Sequence, residues 1–150
     1  MNEKDEFSSH FRANQVKFSR FYARILTQAG LTLPQYALLN QLAVAGIMSM
    51  TEVSEKLYVT KPAVTHLVDC LEKNKFLKRI PHSSDRRVFL LEIQPKGEKI
   101  SSKIQSDILR FLLKTLNKFN ADERKTITRF YAELSQTMEN ALMRSKGSAE

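Results

Sequence analysis

His66 and Cys70 are the first side chains to weigh for chemistry, because they stand four residues apart. That spacing puts two metal ligands on one face of a helix. His82 is a loose candidate for a third ligand, and His10 falls in an unrelated context, so no metal site is expected. Cys70 could instead be a redox thiol, which needs exposure and a lowered thiolate pKa. By its place in the chain it reads as a small residue flanking a core. There is no glycine-rich phosphate loop, nucleophile elbow or convincing acid pair. The sequence is therefore not expected to be that of an enzyme, and no cofactor is expected.

The chemistry that the sequence does offer is cationic. Twenty-four Lys+Arg against 16 Asp+Glu give +8 over 150 residues, a balance suited to an anionic partner such as nucleic acid or a membrane surface. The excess is concentrated: residues 56 to 118 hold 14 Lys/Arg and six Asp/Glu, a surplus equal to the whole net charge. Scattered lysines usually mean a solvated surface. A block in the middle of the chain reads better as a footprint for phosphates.

The elements that must position these charges are mostly helical. Phe11, Phe18, Phe21, Tyr22 and Ile25 recur at helical spacing in a first helix over roughly 6 to 28, ended by Gly30. Those aromatics could line a pocket, but at this spacing they read first as core or as an interface between copies. Thr32-Leu-Pro-Gln35 and Ser49-Met-Thr-Glu52 are capping boxes that open a second helix and a short third one ending at Leu57. Tyr58 and Val59 make a tight connection. Thr60 then caps a fourth helix with the apolar stripe Val64, Leu67, Val68 and Leu71. Leu77–Ile80 and Val88–Ile93 read as a two-stranded ribbon around the polar turn Pro81–Arg87. A long helix follows from Pro95. Asn120-Ala-Asp-Glu123 opens a last one with Ile127, Tyr131, Leu134, Met138 and Leu142 close to a heptad seam.

Length favours one domain with a real core. A single cysteine excludes an internal disulfide, and the opening MNEKDEF is acidic and polar, so neither a signal peptide nor a secreted scaffold is expected and a cytoplasmic location is. The longest uncharged run, Leu31 to Met50, is too polar and broken for a membrane span, so no membrane partner is expected.

A short helix, a tight turn, a capped helix and a basic-tipped hairpin make a winged helix-turn-helix, with Ser49–Leu57, Tyr58–Val59, Thr60–Asn74 and Leu77–Ile93 as its parts. The first turn of the Thr60 helix would offer unpaired backbone N–H groups and a positive dipole end to a phosphate. Pro62, Thr65, His66 and Asp69 fall away from the apolar stripe, on the side that could enter a major groove. Arg86 and Arg87 sit at the hairpin's outer end, where a thin cationic tip could reach a minor groove.

Two stretches carry a resemblance to a known family. Val59-Thr-Lys-Pro-Ala-Val-Thr-His-Leu-Val-Asp-Cys-Leu-Glu-Lys-Asn74 is similar to the recognition helix of the multiple antibiotic resistance regulator (MarR) family of bacterial transcription factors. Leu77-Lys-Arg-Ile-Pro-His-Ser-Ser-Asp-Arg-Arg-Val-Phe-Leu-Leu-Glu-Ile-Gln-Pro-Lys-Gly97 resembles its wing. The resemblance implies a mainly α fold with a small β-wing, a single domain over 1–150. A winged lobe would occupy about 32–97, and dimerisation helices about 6–28 and 98–144. It implies a homodimer that reads pseudo-palindromic double-stranded operator DNA and is usually repressive, often released by a small aromatic effector. It also implies site roles: Lys61, Pro62, Ala63, Thr65 and His66 at the base-reading end of the helix capped by Thr60, Arg86 at the wing tip, Asp85 and Arg87 supporting it. A sequence-independent architectural protein using the same basic face is the alternative expectation.

Overall fold

The computed structural model describes residues 2–146. Its elements run α1 (Glu3–Ala29), α2 (Leu33–Ala45), β1 (Met48–Ser49), α3 (Met50–Lys56), α4 (Lys61–Lys73), β2 (Leu77–Pro81), β3 (Phe89–Ile93), α5 (Pro95–Leu116) and α6 (Ala121–Lys146). The chain divides at Ile108/Leu109 into two compact units. No helix among the described residues is long and apolar enough to cross a membrane.

Local chemistry sets the helix boundaries of the first unit. α1 begins earlier than the apolar spacing suggests, because the Asn2 side chain accepts the Asp5 N–H at 2.9 Å. It ends where Gly30 takes a left-handed φ of 69°. Thr32 and Gln35 close one capping box on α2, and Ser49 and Glu52 another on α3. Backbone and hydroxyl hydrogen bonds from Ser49 hold the Glu52 carboxyl below its usual range. Tyr58, with φ 54°, makes the sharp α3–α4 turn in a left-handed conformation.

The core of this unit is the meeting of α2, α3, α4 and the sheet. Leu38, Leu39, Leu42, Val53, Val64, Val68, Leu77 and Leu91 are fully buried there. The hairpin is larger than the expected ribbon. Met48 and Ser49 pair with Leu91 and Leu90, giving a three-stranded antiparallel sheet of order β1-β3-β2. Two residues carry no readable period, so only tertiary pairing defines this third strand. The β2–β3 register runs from Leu77 opposite Ile93 to Pro81 opposite Phe89.

The start of α5 is stitched to the turn between α4 and β2. The Gln94 N–H donates to the Phe76 carbonyl at 2.9 Å. Lys96 Nζ donates to the Asn74 carbonyl at 3.0 Å and lies 4.8 Å from the Phe76 ring centre. Gly97 is buried against the same carbonyl, where a Cβ would stand 2.1 Å from the Phe76 oxygen.

In the second unit the Asn120 side chain caps α6 and the Glu123 carboxylate returns to the Asn120 N–H at 2.8 Å. Tyr131, Met138 and Met143 along α6 are all more than half exposed. Phe11 and Val16 on α1 are equally open.

The Gly97 contact yields a sharp expectation. Gly97→Ala forces backbone rather than a flexible side chain to move, so it should destabilise the chain by roughly 1–3 kcal/mol. Urea denaturation checks this, with Gly97→Ser at least as damaging.

Candidate nucleic-acid interface

α4 is held by one side. Val64, Val68 and Leu71 are buried, and the helix packs against α2, α3 and β2. Its N-terminal half projects the residues singled out from sequence: Thr60, Lys61, Pro62, Ala63, Thr65 and His66 are all exposed. Thr60 is the cap, its hydroxyl accepting the Ala63 N–H at 3.4 Å. The Val64 N–H turns back to the Thr60 carbonyl at 3.1 Å, and Pro62 has no N–H to give. The first turn is thus less rich in free donors than expected. Among the described residues, Lys61 alone keeps an unpartnered backbone N–H there. The Lys61 ammonium and the dipole end, rather than a cluster of amides, are what this turn presents to an anion. Thr65 donates its hydroxyl to the Lys61 carbonyl at 3.2 Å, so the oxygen keeps only its acceptor capacity for another molecule.

The wing tip is built by its own polar groups. The hairpin extends past Pro81 by a His82 N–H bond to the Val88 carbonyl at 3.0 Å. The Asp85 carboxylate accepts the Arg87 N–H at 2.9 Å, and its carbonyl accepts the Val88 N–H at 3.0 Å. Asp85 therefore shapes the turn that carries Arg86 and Arg87 outward. His82 Nδ1 accepts the Ser84 N–H at 3.2 Å, so its ring braces the same loop. His66, Cys70 and His82 do not gather: no group of three metal-ligating side chains occurs among the described residues.

Charge is divided in an informative way. Lys78 pairs with Glu92 across the sheet, and Arg79 with both Asp69 and Glu72. Lys61, Lys73, Lys75, Arg86 and Arg87 are exposed with no ion pair among the described residues. The acids Asp69, Glu72 and Glu92 are thus paired within the protein, and the cations at the helix start, the α4–β2 turn and the wing tip are left without a salt-bridge partner among the described residues. Sequence reasoning did not single out Arg79. Its signal is long-range: burial lowers the guanidinium's hold on its proton, yet the hydrogen bonds and charges of Asp69 and Glu72 overcome this and raise it. Asp69, expected on the open side of α4, stands there with its charge offset.

An exposed helix start on a buried scaffold, beside a hairpin tipped with free arginines, defines a winged helix-turn-helix protein of the DNA-reading class. The family model described as MarR family matches residues 31–89. The uncharacterized HTH-type transcriptional regulator YsmB of Bacillus subtilis is 31% identical over 99 residues, covering 66% of this chain and 68% of that protein. A MarR family protein from Bacillus stearothermophilus has a solved structure that covers 92% of this chain and 98% of its own, with TM-score 0.76 and 28% identity. Streptococcus pneumoniae FabT, solved in complex with DNA, shares the fold at TM-score 0.71 and 20% identity over 88% of this chain and 99% of its own. The chain belongs to the MarR family of transcriptional regulators, and it is a regulator rather than an enzyme.

Two neighbours on α4 should separate stability from binding. Thr60→Ala removes a cap and should cost about 1 kcal/mol of folding stability. Lys61→Ala removes a cation that the helix dipole opposes. Stability should hold or rise by a few tenths of a kcal/mol, while affinity for DNA falls. Paired thermal melts and DNA titrations check both.

Proposed function

We propose that the protein is a homodimeric, sequence-specific repressor that binds double-stranded operator DNA and is released by a small aromatic effector. The observation that carries the DNA reading is the pairing of an exposed helix start with an unneutralised wing tip on one lobe. In this reading Lys61, Pro62, Ala63, Thr65 and His66 meet the major groove or its phosphate rim, with Thr60 holding the helix end. Arg86 enters the neighbouring minor groove, Arg87 adds charge beside it, and Asp85 keeps the turn in shape. Repression follows from occupancy, since a dimer spanning two half-sites excludes the transcription machinery from that DNA.

Phe11, Val16, Tyr131, Met138 and Met143 support the dimer, because apolar surface on terminal helices is best covered by a second copy. A cavity of about 330 Å³ beside the α1–α2 turn supports the effector. Tyr22, Leu26, Leu31 and Leu33 make it apolar, while Ser19 and Thr27 supply hydroxyls, a composition suited to a small aromatic ring with a polar group.

Selection of bound sequences from random DNA tests the whole reading. The expected product is a pseudo-palindrome with half-site centres about 34–36 Å apart, bound about 10³-fold or more tighter than unrelated DNA. Equal affinity for all sequences would establish the architectural alternative. Arg86→Ala should weaken binding most on A·T-rich flanks, whose narrow minor groove concentrates negative potential. Removing residues 1–28 should cause aggregation or loss of DNA binding, and a monomeric, folded, fully binding product would sink the dimer.

A further inference from the structure

We propose that Arg79 is a positioning residue that locks the wing to α4, so that the helix start and the wing tip engage DNA as one rigid unit. The proposal rests on the DNA-reading roles given above to α4 and the wing.

Arg79 lies at the centre of β2, opposite Leu91. Its guanidinium reaches out of the sheet to two carboxylates on α4, Asp69 and Glu72. Its backbone N–H also donates to Glu72 Oε1 at 3.0 Å. Strand and helix are therefore tied at three points, and the arginine side chain is 22% exposed. Asp69 and Glu72 are three residues apart, adjacent on one side of the helix, and the planar fork of an arginine fixes direction as well as distance.

The apolar contact of α4 with the sheet has no such directionality. It fixes rotation of the helix about its axis less sharply than a forked ion pair, and DNA reading is sensitive to that rotation. A turn of about 20° moves a side-chain end roughly 6 Å from the axis by about 2 Å. That displacement is enough to break a hydrogen bond to a base edge. Asp69 lies eight residues beyond Lys61, about 12 Å along the helix, and Arg86 lies seven residues beyond Arg79 on the hairpin. The clamp thus sits behind both contacts and belongs to neither. Once α4 is seated, the wing contact is intramolecular, and its gain depends on how narrowly the tip is aimed.

The test is a double-mutant cycle on the selected operator at constant salt, with full-length protein. Arg86→Ala alone should lower affinity about tenfold or more. In an Arg79→Met background the same change should cost less than about threefold, a coupling within the range seen for interacting sites. Equal losses from Arg86→Ala in both backgrounds would overturn the proposal and leave Arg79 a stability residue. Adding Asp69→Asn and Glu72→Gln to Arg79→Met removes the uncompensated acids. If that restores both affinity and coupling, Arg79 is only a counter-charge and the proposal also falls. Circular dichroism monitors folding. If Arg79→Met does not fold, Arg79→Lys, with a single ammonium in place of the fork, should show the same coupling loss in weaker form. The DNA reading fails separately: wild-type protein would then select no sequence, whereas here wild type binds and Lys61→Ala and Arg86→Ala each weaken it.

Discussion

The buried stripe of Val64, Val68 and Leu71 is the constraint on which the rest of the lobe depends. A helix that reads DNA must be anchored along its length, yet leave one end and one side to another molecule. Burying three aliphatic side chains at spacings of four and three supplies several kcal/mol of anchoring from a narrow face. The start of the opposite face, at Lys61, Pro62, Thr65 and His66, is left exposed. α2 and α3 exist around that stripe: Leu38, Leu39, Leu42 and Val53 are the surfaces that complete its core. The sheet supplies the remaining wall through Leu77 and Leu91 and carries the hairpin outward from it.

Electrostatics then divides the charged residues into two populations. Acids on α4 and β3 could have neutralised the exposed cations at the helix start and the wing tip. Instead Asp69, Glu72 and Glu92 are held by Arg79 and Lys78, and the Asp85 carboxylate accepts a backbone N–H in its own loop. Each such contact is of modest value for stability where it is solvent-exposed. Their joint effect on the outer surface is larger, because three acids are occupied by two cations and none of the three is left to offset Lys61, Arg86 or Arg87. The net charge of the chain is set by composition, but where its positive field is felt is set by this arrangement.

Much of this was legible in the sequence because the informative signals are local. Capping boxes at Thr32, Ser49 and Asn120 and the cap at Thr60 are fixed by residues three apart, and all four form. The apolar stripe of α4 and the turn at Asp85–Arg87 were readable for the same reason. What escaped depends on contacts between distant parts of the chain. β1 is two residues long and exists only through Leu90 and Leu91. The Arg79 clamp joins residues seven and ten apart across two elements. The scarcity of free amides at the start of α4 was hidden differently: Thr60 and Pro62 were both visible, but only the geometry shows that together they leave Lys61 alone.

The junction at Gly97 is where these local matters would bear on the two half-sites of the proposed dimer. α5 leaves the lobe through Gln94, Lys96 and Gly97, the first two hydrogen-bonded to the Asn74–Phe76 segment and the third packed closely against it. That segment is also where α4 ends and the wing begins. A helix of 22 residues extends about 33 Å, so a tilt of about 5° at its start displaces its far end by about 3 Å. In the proposed dimer such a displacement would change the separation of the two recognition helices by a large part of a base-pair step. Close packing of a glycine against a carbonyl, with an ammonium fixing the next turn, is a stiff joint. In the proposed dimer the same few residues would govern both lobe geometry and half-site spacing, and an effector that shifted α5 would have to act through them.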